Sequence, residues 1–260
     1  MLLLGVADGL KLDCANDIGN QTARVIDVDQ AQYGGSVEID GCVLDGAALT
    51  FHASKGGSAG STISLSRTTL QNGSVTFTTT QSFNTTVFVT DSTLNCTLPK
   101  VAGTVGSSNA LVFFGDIFRV HVTVQRSTVL AAYTGPSGMA QALSLFGLNS
   151  QPYITVRPWP LPTTSSDPPV VISVVDHSSV SATSNNVAQG DVPVAACAVC
   201  FLTPTVVPFL RFTVANGSSV TSHSQNQSDA NAFFVLIRTA AYGAAMVVTQ
   251  TSTVTASAFQ

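Results

Sequence analysis

Charge is scarce in this sequence. Charged side chains make up 9% of the 260 residues, with three lysines and one glutamate, against roughly a quarter in an ordinary globular domain. No stripe of Lys and Arg interleaved with aromatics occurs, which argues against nucleic-acid binding. No apolar run reaches the roughly 18–20 residues of a membrane span, so none is expected within this chain. The opening Met1-Leu-Leu-Leu-Gly-Val-Ala is short and lacks the basic start of a signal peptide. Helical spacing with caps is missing from every ten-residue stretch, which excludes a helical domain. His-Glu-x-x-His, Gly-x-Gly-x-x-Gly and the P-loop are absent, so no signature motif nominates a catalytic centre. Cysteines number five, Cys14, Cys42, Cys96, Cys197 and Cys200. That is too sparse for a disulfide-stapled miniprotein.

What fills the chain is Val, Thr, Ser, Ala and Asn, with 45% apolar residues. Val and Thr suit pleated, half-buried surfaces. The organising stretch is 117–131. There Val120, Val122 and Val124 alternate with His121 and Thr123, and Val129 returns to the apolar side after Gln125-Arg-Ser-Thr. A two-residue period puts the valines on one face of a strand. The four polar residues read as a turn. Similar phrases recur. Ile39, Leu65 and Val89 are equivalent, 26 and then 24 residues apart. Farther on, the unit lengthens: Val122, Ile172, Phe212 and Val247 are separated by 50, 40 and 35 residues. The long interval contains the Pro-rich 157–169, and removing those 13 residues leaves 37. Proline cannot donate to a ladder, so that segment is expected to leave the sheet as a loop insertion.

Repeats of about 25 residues built from short strands predict a β-solenoid. One such coil loses roughly 25–50 kcal/mol of backbone entropy on ordering. Six inward side chains return about 1.5–3 kcal/mol each, so a lone coil does not fold. Stacking buries both sides of each ladder and lets Ser/Thr side chains bond from coil to coil. The expectation is an all-β chain: an irregular segment over 1–23, then one right-handed parallel β-helix over 24–260 with loop insertions. The alternative is a β-sandwich.

The Val-x-Val phrases ending in Ser-Thr-Val, the Ser/Thr/Asn surface and the scattered sequons resemble right-handed parallel β-helix proteins of the pectin-lyase type. Among these the texture is most similar to the dispersed gene family surface proteins of kinetoplastid parasites. The resemblance implies a cell-surface or extracellular protein, part of a larger membrane-anchored chain, with an adhesive, shielding or structural role. Its partners would be host or cell-surface glycans or proteins. A carbohydrate-active enzyme, a polysaccharide lyase or glycoside hydrolase on the same scaffold, is the alternative.

Candidate sites follow from spacing. Alternation puts Asp27 and Asp29 on one face of a strand, and Glu38 and Asp40 on one face of the next. If those strands pair, four carboxylates gather as a hard-oxygen site for Ca²⁺; otherwise they form a solvated outer face. No other cofactor is expected. Arg119 and His121 share a polar strand face, with Asp116 nearby, and would either engage an acidic sugar or form a plain polar outer face; in the enzyme alternative, Arg119 or Arg211 would act with outward carboxylates. Trp159 among prolines is either a docking aromatic or packing for its own loop. Asp176-His177 occupies a turn position held elsewhere by other polar residues. Cys197-Ala-Val-Cys200 has redox or zinc spacing, but positions three apart on a strand face opposite ways, which favours buried structural cysteines. Candidate glycosylation sequons begin at Asn20, Asn72, Asn84, Asn95, Asn216 and Asn226.

Overall fold

Residues 10–13, 25–29, 36–46, 48–53, 61–98, 105–135, 137–146, 170–186, 196–203, 210–225, 230–237 and 244–258 are described by the computed structural model. The valine alternation does what its period requires. Val120, Val122 and Val124 are fully buried, while Arg119 is exposed and Thr123 is half-buried. Among the described residues twenty strands form, none of these residues is helical, and every ladder is parallel. A sandwich of hairpins is therefore excluded, and the chain is a parallel β-solenoid.

Three faces run the length of the stack. The first holds β1 (Leu10–Asp13), β3 (Ser36–Asp40), β6 (Ser61–Ser66), the second halves of β8 (Ser74–Thr90) and β10 (Val105–Gln125), β13 (Val170–Val175), β16 (Leu210–Val214) and β19 (Ala244–Val248). The second holds β4 (Val43–Asp45), β7 (Thr69–Gln71), β9 (Thr93–Leu98), β11 (Thr128–Gly135), β14 (Ser179–Asn186), β17 (Ser219–Gln225) and β20 (Thr253–Ala258). The third holds β2 (Val25–Asp29), β5 (Ala48–Ala53), the first halves of β8 and β10, β12 (Ser137–Phe146), β15 (Ala196–Thr203) and β18 (Ala230–Ile237). β10 passes from the third face to the first through two register shifts, one between Phe114 and Asp116 and one between Ile117 and Arg119. The stretch expected to be irregular thus contributes β1, which pairs with β3. The insertion at 157–169 lies outside the described residues.

Inside, like residues stack on like. Ile39, Leu65, Val89, Val124, Val174 and Val214 form one buried rank. Phe51, Phe77 and Phe113 stack with ring centroids 4.8 and 4.5 Å apart. The equivalence of Ile39, Leu65 and Val89 holds. That of Val247 is off by one, since Met246 stands beside Phe212 and Val247 beside Thr213. The corner after β19 has two left-handed residues, Gln250 and Thr251, and counting back through it from Val254 puts Val248, not Val247, inside. Met246 and Val248, in the last described coil, are 52% and 40% exposed, where the earlier members of their ranks are buried.

The corner from the first face to the second is the most regular feature. One or two residues turn left-handed, among them Arg67, Asp91, Arg126, Asp176-His177 and Asn216-Gly217, and a hydroxyl residue follows. Backbone N–H groups of Thr68, Ser92, Ser127, Ser178 and Ser218 donate to the Oγ of Ser92, Ser127, Ser178, Ser218 and Ser252 in the next coil, at 3.0–3.2 Å. Ser92 and Ser127 give their hydrogens back to carbonyls of their own coil and of the one before: Ser127 Oγ lies 2.7 Å from the Gln125 oxygen and 3.1 Å from that of Val89. Ser92, Ser127, Ser178 and Ser218 are at most 4% exposed, so a missing partner leaves a buried orphan. Ser127→Ala should therefore destabilise by about 1–3 kcal/mol in urea unfolding. Ser252→Ala, half-buried in the last described coil, should cost less; equal costs would mean the ladder contributes nothing specific.

Candidate functional site

The polar groups of this protein are gathered by its corners. Outside the hydroxyl ladder, the left-handed residues stack as acid and base in turn. Arg67 makes a two-point ion pair with Asp40, its Nε donating at 2.9 Å to Oδ1, and Ser66 Oγ donates to the same oxygen at 3.1 Å. Arg126 grips Asp91 at 2.7 and 2.8 Å. Asp176 accepts from Asn216 Nδ2 at 2.6 Å and Gln125 Nε2 at 2.7 Å. The hydrogen bond from Arg126 holds the Asp91 carboxyl below its ordinary range, and those from Asn216 and then Gln125 do so for Asp176. His177 packs over Gly217, where an added Cβ would meet its ring at 3.1 Å and where φ is +70°, so only glycine fits that corner without strain.

The four-carboxylate arrangement requires β2 to pair with β3, and it does not. β2 pairs with β5 on the third face, β3 with β1 and β6 on the first. Strands consecutive in a solenoid lie on different faces, so Asp27 and Asp29 stand in register with Thr50 and His52 instead of with Glu38 and Asp40. Asp40 is 8% exposed and held by Arg67 and Ser66. Among the described residues no group of three or more His, Cys, Asp or Glu is placed to hold a metal ion.

Arg119 and His121 do share the outer side of β10, exposed and half-buried. Arg211 is in the same outer rank as His121, with Val171 between them. Asp176-His177 is a corner pair whose carboxylate is used by its neighbours. Glycoside hydrolysis calls for two carboxylates flanking one bond; Asp91 and Asp176, on non-adjacent coils, each have their own partner. Gly56-Gly-Ser-Ala-Gly60 has the Gly-x-Ser-x-Gly spacing, a motif that the reading of the sequence missed. A nucleophile elbow runs from strand to helix, whereas this stretch joins β5 to β6, and it lies outside the described residues, as does Trp159.

Cys197 and Cys200 are joined in a disulfide and are both buried. Strict alternation would separate them. Here Ala198 and Val199 both enter the core, the strand bends, and the flanking positions fall on one side, forming a cluster apart from the core. The bend is shared by the coils: Ala142 and Leu143 also both enter the core, and Gln141 and Ser144, register partners of the two cysteines, hydrogen-bond at 3.3 Å. Cys42 is in a second disulfide, its partner outside the described residues. Cys96 is a free, buried thiol whose pKa burial raises, which keeps it protonated and inert. It lines a shallow recess of about 280 Å³ with Asn72, Thr76, Asn109, Val112 and Phe114.

The second face carries regular outer ranks of polar side chains. Thr69, Thr93, Thr128, Ser179, Ser219 and Thr253 form one outer rank in register. Ser181, Thr221 and Thr255 continue a second, and Thr183 and Ser257 flank His223 in a third. Successive hydroxyls are about 4.8 Å apart between coils and about 6.6 Å along a strand. Asp45 and His223 are its only outward ionisable side chains among the described residues. Sequon asparagines border or enter this face. Asn72 and Asn216 are exposed at corners, and Asn95 is half-buried within β9. Asn84 lies in β8 opposite Arg119; Asn20 and Asn226 fall outside the described residues. No helix among them is long and apolar enough to cross a membrane. No protein-family profile, curated protein or solved structure matches the chain.

Two outcomes follow from these corners and bends. Depressed Asp91 and Asp176 pKa values stabilise the fold above the unfolded value of about 3.9, and that contribution is lost as pH falls through the lower folded values. Asp91→Asn with Asp176→Asn should flatten the fall of Tm below about pH 4 by the same small amount that it lowers Tm at neutral pH, both groups being exposed. Cys197→Ser with Cys200→Ser should cost about 2 kcal/mol in chemical denaturation. Cys197→Gln with Cys200→Ser, which copies the Gln141–Ser144 bond of the coil before, should cost less.

Proposed function

We propose that this chain is a non-catalytic solenoid of the cell surface or extracellular space, which presents its second face to glycans or proteins of a host or neighbouring cell. The observation that carries the proposal is the rank of six Thr and Ser side chains, continuous in register from β7 to β20. A flat array of hydroxyls spaced by the coil repeat suits many weak, repeated hydrogen bonds to a polyhydroxylated surface. It does not suit the convergent binding of one small molecule, which needs a concave pocket.

Two further features support an exterior setting. Disulfides persist where the surroundings are oxidising, and this chain holds the Cys197–Cys200 bridge and another at Cys42. A surface of Ser, Thr and Asn with 9% charge also departs from the charged surface usual for soluble domains. The likeness in texture to the kinetoplastid dispersed gene family proteins, and membership of a larger membrane-anchored protein, belong to this same proposal.

Beads coated with the chain should retain cells or extracellular glycoproteins. Ser181→Arg with Thr221→Arg, at outward positions in mid-face, should lower retention about tenfold, a loss of about 1.4 kcal/mol, with the melting temperature preserved. Retention unchanged in that variant would remove the second face from the proposal. Absence of the chain from the surface of intact, unpermeabilised source cells would remove the exterior setting.

A further inference from the structure

We propose that Asn72 and Asn216 carry N-linked glycans and that Asn95 does not. This inference rests on the exterior reading above, and it names which edges of the second face are decorated. Both asparagines begin the same tripeptide, Asn-Gly-Ser. Both are exposed and left-handed, with φ of 53° and 58°. Asn72 stands at the corner from the second face to the third, between β7 and β8. Asn216 stands at the corner from the first face to the second, between β16 and β17. They therefore flank the hydroxyl face on its two long edges.

The chemistry of the amide nitrogen fits these two positions. In the transfer, Asn Nδ2 attacks the anomeric carbon of a lipid-diphosphate-linked oligosaccharide. The bond from that carbon to the diphosphate oxygen breaks, the lipid diphosphate leaves, and one Nδ2 proton passes to a base on the transferase. The product amide keeps one N–H. Asn72 Nδ2 donates to Asp45 Oδ1 at 3.0 Å and Asn216 Nδ2 to Asp176 Oδ1 at 2.6 Å, and one remaining N–H is enough for either bond. The sugar then points into solvent from a corner, where no strand lies on its outer side.

Ser218, the hydroxyl residue of the second sequon, is 1% exposed and its Oγ accepts the Ser178 N–H. Transfer at Asn216 must therefore precede closure of that corner. Asn95 is placed differently. It lies within β9, in register between Gln71 and Leu130. Its Nδ2 donates to Gln71 Oε1 at 3.0 Å and its Oδ1 accepts from Thr97 Oγ1 at 2.7 Å. A glycan there would rise from the middle of the face, between neighbours about 4.8 Å away on either side, and would part the rank the coils share.

The test is expression of the full chain behind a secretion leader in a eukaryotic host. The folded, secreted fraction is treated with a glycan-releasing amidase in heavy-oxygen water, and each sequon peptide is read by mass spectrometry. The expected result is heavy-oxygen aspartate at 72 and 216 and unmodified Asn95. Asn72→Gln and Asn216→Gln should each remove one step of gel mobility, and Asn95→Gln none. A bare Asn72 or Asn216 in the folded fraction, or label at Asn95, overturns the inference. Surface labelling of source cells separates this failure from that of the exterior reading. A chain found outside the cell with bare corners sinks only the glycans. A chain found inside, with Cys197 and Cys200 reduced, sinks the setting on which they depend.

Discussion

The stack depends on a hydrogen bond between a corner backbone N–H and the hydroxyl of the coil that follows. A left-handed residue turns the chain from the first face to the second, and in turning it lifts one amide out of the ladder. That amide is buried, so it must find an acceptor within the protein. Ser92, Ser127, Ser178, Ser218 and Ser252 supply one, each to the coil before it. The Ser92 and Ser127 oxygens return their hydrogens to carbonyls of their own coil and the last, Ser127 to Gln125 and Val89. Ser92 and Ser127 are thereby bonded in both directions and fix the height of one coil on another. A slip by one residue would turn every inward valine to solvent and would leave this amide without an acceptor, so apolar and polar restraints specify the same register.

Fixing one corner leaves the rest of each coil free to vary in length. From last inward residue of the first face to first inward residue of the second, the chain takes one of two forms. Leu65 to Leu70, Val89 to Leu94 and Val124 to Val129 turn through one left-handed residue. Val174 to Val180, Val214 to Val220 and Val248 to Val254 turn through two. Register partners elsewhere are as far apart in sequence as Val124 and Val174. Chain added away from the corner is tolerated because closing a longer loop costs little more entropy, whereas the corner itself varies by a single residue, and the hydroxyl ladder runs on through that change from Ser127 to Ser178. The ion pairs outside it, Asp40 with Arg67 and Asp91 with Arg126, repeat the register in charge, though the exposed Asp91–Arg126 pair adds little stability.

The valine alternation and the Ser-Thr-Val phrase made the parallel solenoid legible in the sequence, including the equivalence of Ile39, Leu65 and Val89 and the bonding of stacked hydroxyls between coils. What the sequence hid was which neighbours in the chain are neighbours in space. Asp27, Asp29, Glu38 and Asp40 lie close together in sequence, yet β2 and β3 belong to different faces. A period of two also says nothing about a bend. At Ala198-Val199 two successive residues point inward, which brings Cys197 and Cys200 to one side. The same break occurs at Ala110-Leu111 and Ala142-Leu143, so the signal was a shared lapse in alternation across coils, visible only once their register is known. Met246 and Val247 were ambiguous because both are apolar and the corner beyond them has the longer of its two forms.

The same architecture limits what the surface can do. Catalysis gathers several polar side chains onto one reacting atom, and their geometry must be held by the scaffold without consuming them. Here the corners that gather polar groups use them to bind coil to coil: Asp176 to Asn216 and Gln125, and Asn72 to Asp45. A carboxylate spent on a neighbouring arginine or amide is stabilised in its charged form, as the lowered pKa values of Asp91 and Asp176 reflect, and is a poor proton shuttle near neutral pH. What remains outward on the second face is the rank of Thr and Ser side chains, each offering a weak contact at a fixed interval. A partner that gains from this must itself be extended, so that contacts too weak singly accumulate over many coils. The proposed contact with an extended surface, rather than with a single small molecule, rests on that accumulation.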